Sequence, residues 1–257
     1  MIQELATEFY QAYKEKKHVD LLSSRNIEID ELTAYKIQDQ VTKLKMEENG
    51  EEIIGYKISM TSEEMQRLGK ANSPAYGTFT TKSVIESSIK LDSAFPFLLE
   101  PELVFVVTED LTVGADKNEI LQKSKIAAGL EIPGSRYPNW FPPSKDAQLG
   151  DTIADNTFAG FILMGSSVEI TDSIDWKQIK ATLYLNDEKL DEGYSSEVLG
   201  NPLNAISWLT EKLAEENKSL KKGMIVSSGT FTSPKALKQG AYKVVFDIVG
   251  ELTLTVK

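Results

Sequence analysis

The 257-residue sequence contains no cysteine. This absence excludes disulfides, thiolate metal sites and cysteine nucleophiles together. The chain also has a single histidine, His18, which excludes a histidine metal cluster and leaves few options for a Ser-His-Asp triad or a histidine general base. His18 follows a lysine-rich segment, a pattern typical of a solvated helix end. Acid–base or metal chemistry must therefore use carboxylates, lysine, tyrosine or water.

Several common motifs are missing as well. The sequence has no dinucleotide-binding G-x-G-x-x-G, and the segment around Lys70 lacks the upstream glycine and the following Ser or Thr of a P-loop. No G-x-S-x-G nucleophile elbow is present. An oxygen-only set of metal ligands remains, and such a set suits Mg²⁺, Mn²⁺ or Ca²⁺ rather than Zn²⁺ or Cu²⁺.

Basic residues are in deficit. The 28 lysines and arginines against 39 acidic residues give a formal net charge of −11, which argues against a nucleic-acid surface and against attraction to an anionic membrane. The N-terminal segment is charged and lacks the apolar core of a signal peptide. The longest apolar run, residues 158–165, is far too short to span a bilayer. We therefore expect a cytoplasmic protein with no nucleic-acid or membrane partner.

The first fifty residues have helical patterns. Apolar residues at a spacing of four predict an amphipathic helix over residues 2–17. A second helix is predicted from Asp30, which can cap it, to about Glu48. Gly50 is a plausible stop for this helix, because glycine readily adopts the left-handed conformation found at helix ends.

The residue pattern changes from helical to strand-like after Glu52, where short β-rich runs are separated by turn residues. Two helical stretches, residues 117–125 and 201–217, interrupt these runs. The pattern predicts an α+β fold, with an N-terminal helical portion (1–50) packed on a β-rich domain (51–257). The β-rich runs are residues 53–60, 95–107, 127–132, 160–165, 179–186, 223–231 and 241–257.

Two glutamates interrupt the apolar run at 95–107. In a strand, Glu100 and Glu102 share one face and lie roughly 6–7 Å apart. Both faces are apolar downstream, which predicts a strand buried on both sides, where a carboxylate needs a compensating cation or full hydrogen bonding. Glu131 ends another apolar run, and small residues on its face leave room for an ion. Glutamates at exposed strand ends would show the same spacing, so the pattern alone leaves both alternatives open.

Segments spread over nearly the whole chain have the residue patterns of one known family. They are DELTAYKIQDQ, IIGYKISMTSEEMQRLGKANSPAYGTF, EPELVFVV, GLEIPGSRYPNW, DTIADNTFAGFILMG, GNPLNAISWLTEKLA and LKKGMIVSSGTF. Through them the chain resembles the fumarylacetoacetate hydrolase superfamily, and within it the 2-keto-4-pentenoate hydratase and 4-oxalocrotonate decarboxylase branch. The resemblance implies a mixed β-roll core of the fumarylacetoacetase C-terminal-like type, with inserted helices.

The resemblance also implies a metal site and a substrate class. The metal would be Mg²⁺ (or Mn²⁺), with Glu100, Glu102 and Glu131 as its ligands. The substrate would be a small 2-keto acid that chelates the metal through its C1 carboxylate and C2 oxygen. Lys57 would be a cation or an acid–base group beside a substrate oxygen. Asp155, with the asparagine that follows it, would orient a water or the third ligand.

Further residues are implied on the substrate side. The loop that contains Ser228, Gly229 and Thr230 would offer backbone N–H groups and a hydroxyl to the substrate carboxylate; a plain strand-end turn is the alternative. Arg136 would hold a second substrate carboxylate or lie exposed in a loop. The family also commonly forms homo-oligomers.

The function that the resemblance implies first is hydration of 2-hydroxypenta-2,4-dienoate. The first alternative is decarboxylation of 4-oxalocrotonate, and the second is a non-catalytic partner subunit of such an enzyme. Hydrolase chemistry is disfavoured, because it uses a His–Glu pair that His18 cannot supply. Two departures from the family pattern, at Gly134 and around Ser73, change the rim of the predicted site.

Overall fold

The computed structural model describes residues 1–91, 95–171 and 173–257. Within these ranges the helices are α1 (Ile2–Glu15), α2 (Glu31–Asn49), α3 (Glu63–Leu68), α4 (Lys117–Gln122), α5 (Leu149–Ala154) and α6 (Pro202–Ala214). The strands are β1 (Ile53–Ser59), β2 (Ala75–Thr80), β3 (Ser88–Ile89), β4 (Leu98–Val107), β5 (Ser124–Ile132), β6 (Phe161–Met164), β7 (Val168–Glu169), β8 (Lys180–Leu185), β9 (Glu188–Tyr194), β10 (Ile225–Thr230), β11 (Lys235–Ala236), β12 (Gly240–Phe246) and β13 (Gly250–Val256).

The two N-terminal helices begin and end close to where the sequence predicts. The side chain of Asp30 accepts a hydrogen bond from the backbone N–H of Thr33 at 2.7 Å, which caps α2. Gly50 follows α2 with φ of +65°, the left-handed conformation expected at the end of a helix. Residues of both helices belong to the same hydrophobic core as the strands that follow. In the described part of the chain, the helices are too short or too polar to cross a membrane.

The strands form two sheets. The larger sheet has the order β2-β1-β10-β4-β5-β6, with β11 paired to β4 and β7 paired to β5. It is mixed, because β1 and β10 run parallel whereas β4 pairs antiparallel with both β10 and β5. The smaller sheet has the order β3-β13-β12-β8-β9. The two ladders on either side of β4 bring residues that are distant in sequence to the same place.

Strand β4 is buried on both faces, as its apolar alternation predicts. Leu103 and Phe105 face the main core, which also contains the N-terminal helices. Val104 faces a separate small core together with Ala127 and Ile162. Because side chains alternate along a strand, Glu100 and Glu102 lie on the face of β4 that carries Val104. The two glutamates therefore enter the protein interior rather than a solvated surface.

Besides the two-residue strands β3, β7 and β11, four elements are not expected from the sequence. Strand β2 is fully buried, but its alanine and glycine weaken the strand signal. Strand β9 is rich in charge and mostly exposed, so it has no apolar alternation. Helices α3 and α5 have only six residues each, which is too short for a helical repeat to show. Of the four, β2 matters most to the site, because it flanks β1.

Gly55 lies in β1 where the backbone of β10 approaches closely. Its φ is +153°, and a Cβ there would lie 1.9 Å from the carbonyl oxygen of Ile225. We expect Gly55→Ala to lower the free energy of unfolding by about 2–4 kcal/mol, because backbone strain and overpacking add. Urea denaturation measures the change.

Gly50→Ala is the matched control for that variant. Gly50 also has positive φ, but no described atom lies within 4 Å of an added Cβ. Only the left-handed backbone cost of about 1–2 kcal/mol then applies. Equal losses of stability in the two variants would contradict the close approach of β1 and β10.

Candidate active site

Three glutamates converge at one end of the larger sheet. Glu100 in β4 lies directly opposite Glu131 in β5, and Glu102 lies opposite Gly129. One carboxylate oxygen from each glutamate lies within 4.8 Å of the others. A Cβ at position 129 would lie 2.6 Å from the side chain of Val104, so only glycine allows this close approach beside the cluster. The three glutamates that the resemblance implies as ligands are therefore brought together.

Lys57 reaches the glutamate cluster from β1. Its Nζ lies 3.0 Å from Oε1 of Glu131, and both side chains are almost completely buried, with 2% and 0% exposed. The same ammonium donates a hydrogen bond to the carbonyl oxygen of Thr157 at 3.3 Å. The alternate residues Tyr56 and Ile58 face the main core, so β1 places the lysine on the opposite face, as its alternation predicts. Lys57 is thus the cation that partly balances the cluster.

Glu102 is held by β10. One of its oxygens, Oε2, accepts hydrogen bonds from Oγ of Ser227 at 2.6 Å and from the backbone N–H of Gly229 at 2.8 Å. Ser227 and Gly229 share one face of β10, whereas Ser228 lies between them. The residues predicted from the sequence include Ser228 but not Ser227. Strict alternation along this strand, counted from Gly229, would have found it.

The charges of the cluster do not balance among the described residues. Three carboxylates face one ammonium, which leaves two negative charges when all groups are ionised. Neither oxygen of Glu131 accepts a hydrogen bond of good geometry within the described part of the chain. One divalent cation would neutralise the excess and supply the missing partner, and an all-carboxylate set is of the kind that Mg²⁺ and Mn²⁺ prefer. The residues present therefore fit such an ion.

The pKa values of the cluster are shifted by burial and by the excess of negative charge. Burial raises the pKa of Glu100 to about 8, with repulsion from Glu131 adding to the shift and Lys57 opposing it. Burial, followed by repulsion from Glu131 and Glu100, raises the pKa of Glu102 well above its usual value. Burial also raises the pKa of Glu131 against the attraction of Lys57. Burial by itself lowers the pKa of Lys57, but the surrounding carboxylates outweigh it and the net shift is upward.

A cavity of about 370 Å³ opens beside Glu100 and Glu102. Thr230 also lines this cavity, and its hydroxyl donates a hydrogen bond to the carbonyl of Thr232 at 3.0 Å. Lys57 lines a smaller pocket that shares Glu100 with this cavity. The apolar residues of the cavity wall are Ile58, Met60, Met65, Leu68, Phe141, Phe231 and Pro234. The cluster thus opens onto a space whose walls are partly apolar.

Asp155 and Arg136 bind one another away from this cavity. Oδ2 of Asp155 accepts hydrogen bonds from Oγ of Ser135 at 2.6 Å and from the backbone N–H of Arg136 at 2.9 Å. Oδ1 of Asp155 accepts from Nε of Arg136, whose terminal NH₂ donates to the backbone carbonyl of Asp155 at 2.8 Å. Burial raises the pKa of Asp155 even though the guanidinium opposes the shift. Neither residue is among those that line the cavity.

The segment after Asp155 has an unusual backbone. Asn156, Thr157 and Phe158 all have positive φ, at 57°, 49° and 60°. The amide of Asn156 accepts from the backbone N–H of Thr78 at 2.8 Å and donates to its carbonyl at 3.0 Å, so it pairs with β2 as a neighbouring strand would. Strain of this kind occurs where the surrounding structure fixes the backbone, often at functional sites. Here it aims the carbonyl of Thr157 at Lys57.

The other predicted positions are placed as follows. Ser228 is fully buried, and its hydroxyl has no hydrogen-bond partner among the described residues. The N–H of Gly229 is used by Glu102, and φ of +116° there needs glycine, because a Cβ would lie 2.6 Å from Oγ1 of Thr61. Gly134 is glycine because a Cβ would lie 2.4 Å from the ring of Phe97. A residue with a side chain could therefore not occupy position 134 with the ring of Phe97 in this place.

The chain is similar to known proteins over its whole length. Residues 139–257 match the fumarylacetoacetate (FAA) hydrolase C-terminal family model. A 2-oxo-hept-4-ene-1,7-dioate hydratase of Escherichia coli is 28% identical over 241 residues, which span 92% of this chain and 90% of that protein. A 2-keto-4-pentenoate hydratase of Paraburkholderia phymatum is 29% identical over 258 residues, with coverages of 98% and 95%. A Pseudomonas putida protein named TodF product hydratase is 30% identical over 221 residues, with coverages of 82% and 79%.

A solved structure has the same fold. The 4-oxalocrotonate decarboxylase of Pseudomonas putida, complexed with magnesium and adipate, superposes with a TM-score of 0.91 at 19% identity, covering 100% of this chain and 97% of that one. This likeness and the family model confirm the predicted α+β fold of the fumarylacetoacetase type.

Proposed function

Because the chain belongs to the fumarylacetoacetate hydrolase superfamily, we propose that it is a divalent-metal-dependent hydratase. It would add water to 2-hydroxypenta-2,4-dienoate or a similar 2-keto acid and form a 4-hydroxy-2-keto acid. The observation that carries the proposal is the cluster of three carboxylates with one lysine at the end of a cavity. Relatives with hydratase names support hydration as the reaction.

Glu100, Glu102 and Glu131 would hold Mg²⁺ or Mn²⁺. When bound, the cation would supply Lewis-acid chemistry by polarising the C2 oxygen of the substrate. Two of the glutamates are fixed before the substrate arrives: Glu102 by two donors of β10, and Glu131 by the ammonium of Lys57. Such preorganisation removes part of the cost of ordering the site during the reaction.

Lys57 supplies a second positive charge beside the cluster. Its ammonium forms an ion pair with Glu131 and donates a hydrogen bond to the carbonyl of Thr157, and both contacts favour the charged form. We assign it the stabilisation of negative charge that develops on a substrate oxygen during ketonisation and the addition of water. Asp155 acts indirectly, because it binds Arg136 and fixes the start of the segment that presents Thr157.

The apolar part of the cavity wall would receive the hydrocarbon end of the substrate and exclude bulk water around it. The hydroxyl of Thr230 donates to the carbonyl of Thr232 at 3.0 Å, so it would have to exchange that hydrogen bond to donate to the C1 carboxylate or to the C2 oxygen. Ser228 would require a rearrangement of β10 to reach the substrate, because it is fully buried. The cytoplasmic location and the homo-oligomer stay predictions from sequence.

Incubation with Mg²⁺ and 2-hydroxypenta-2,4-dienoate tests the proposal. We expect the dienol absorbance to disappear in the presence of enzyme and metal, and to persist when the metal is chelated. Loss of CO₂ from 4-oxalocrotonate, with no loss of the dienol absorbance, would replace hydration by decarboxylation. No turnover of either compound would favour a non-catalytic partner subunit.

A further inference from the structure

The ionisable side chains that line the 370 Å³ cavity are all acidic. None of the described residues that line the 370 Å³ cavity is a lysine or an arginine. Beyond the cluster, its ionisable side chains are Glu64, on α3, and Glu197, which follows β9. Both are exposed at the rim, and neither forms an ion pair with another described residue. The cavity therefore presents uncompensated negative charge where the far end of a bound 2-keto acid would lie.

Four basic residues that could be considered for a second carboxylate do not line this cavity. Arg136, which the sequence suggested for this purpose, is paired with Asp155 and does not line the cavity. Lys57 lies at the cluster end, where its ammonium contacts Glu131. Lys70 and Lys145 line a different groove. A second substrate carboxylate would thus find no positive partner among the described residues of the cavity, and it would approach two glutamates.

The remaining lining of the cavity combines apolar side chains with hydroxyl groups and, among the described residues, contains no cation. The hydroxyl-bearing residues are Ser59, Thr61, Ser62, Thr230, Thr232 and Ser233. Met65 and Leu68 contribute one wall from α3, and Phe141 and Phe231 contribute others. Contact with these side chains gains from burial of apolar carbon, whereas a carboxylate placed there loses hydration without a compensating hydrogen-bonded cation. Charge repulsion from the rim adds to this penalty over distances shorter than about 10 Å at ordinary ionic strength.

We propose that Glu64 and Glu197 are specificity-determining residues that exclude dicarboxylates, so that the protein takes monocarboxylic 2-keto acids with a short neutral tail. The inference rests on the proposed function, since it assumes that a 2-keto acid binds with its C1 carboxylate toward the glutamate cluster. It sets this chain apart from proteins whose names specify dioate substrates.

Binding of two saturated analogues tests the proposal without turnover. Isothermal titration of the Mg²⁺-loaded protein is carried out with 2-oxopentanoate, a monocarboxylate, and with 2-oxohexanedioate, which carries a second carboxylate. We expect the monocarboxylate to bind about 10-fold more tightly or better. In the double variant Glu64→Gln with Glu197→Gln, this ratio should fall about 3- to 10-fold, and added salt should reduce it in the parent protein.

Glu251→Gln is the matched control, because it removes one exposed negative charge on the smaller sheet, away from the cavity. Its ratio of affinities should equal that of the parent. Equal binding of the two analogues, tighter binding of the dicarboxylate, no binding of either, or an unchanged ratio in the double variant would each overturn the proposal. Selective binding without hydration of the dienoate would instead retain the selectivity and reject the hydratase function.

Discussion

Replacement of Glu131 by glutamine should weaken Mn²⁺ binding by about 100-fold or more and remove turnover to a similar degree. Loss of residues that only support metal ligands already costs about 10- to 100-fold in affinity or activity, and Glu131 is placed to be a ligand itself. It lies opposite Glu100 across the β4–β5 ladder, and neither of its oxygens has a well-formed hydrogen bond among the described residues. Glutamine keeps the shape but removes the charge.

Two measurements check this expectation. Electron paramagnetic resonance of free Mn²⁺ during titration gives the affinity, and the dienol absorbance gives the turnover. Glu51→Gln is the control, since Glu51 is also buried, at 3% exposed, but its carboxylate is bound by Thr80 and Asn49, outside the cluster. Its Mn²⁺ affinity should match that of the parent. If Glu131→Gln bound Mn²⁺ as tightly as the parent, the three glutamates would not form the metal site.

The sequence predicts the fold where local signals and tertiary packing agree. The ends of α2 follow from Asp30 and Gly50, because a cap and a left-handed stop are local effects. The burial of β4 on two faces follows from its alternation. Only the first strand of the β8–β9 hairpin is predictable from the sequence. Asn186 and Asp187 both have positive φ and form the turn, but the charged strand β9 after them has no apolar pattern.

In the site, too, some features follow from local sequence patterns and others depend on tertiary packing. Strand geometry alone places Glu100 and Glu102 on one face. Their proximity to Glu131 and Lys57 depends on the pairing of β4 with β5 and on the position of β1, and no local sequence pattern contains that information. The family resemblance supplied that information. The carbonyl of Thr157 could not be predicted, because any residue type supplies a carbonyl and only the unusual backbone of residues 156–158 directs it to Lys57.

Replacement of Lys57 by methionine should lower the free energy of unfolding by about 3–5 kcal/mol when metal is removed by a chelator. Methionine fills a similar volume, so the effect comes from charge: removal of one partner of a buried ion pair leaves the other uncompensated. In this cluster three carboxylates would remain without any cation from the described residues. Urea denaturation in the presence of EDTA measures the loss.

Addition of Mg²⁺ should restore part of this stability, because an ion that binds only the folded state stabilises it by about 2.7 kcal/mol at one hundred times its dissociation constant. Lys43→Met is the control. Lys43 forms an ion pair with Glu47 at 3.7 Å in which both side chains are more than half exposed, at 61% and 58%, so its loss should change stability by no more than about 0.5 kcal/mol. An equally small change for Lys57→Met in EDTA would show that the lysine does not balance the cluster.

The same variant separates two roles of Lys57. If the ammonium only balances the charge of the glutamates, saturating Mg²⁺ should restore both the stability and the hydratase activity of Lys57→Met. If it also stabilises charge on the substrate, turnover should remain about 10²- to 10⁴-fold below the parent at saturating Mg²⁺, the range expected for loss of a positioned catalytic group. We expect the second result, because Lys57 also lines the pocket that adjoins the 370 Å³ cavity and the carbonyl of Thr157 fixes its ammonium there independently of Glu131.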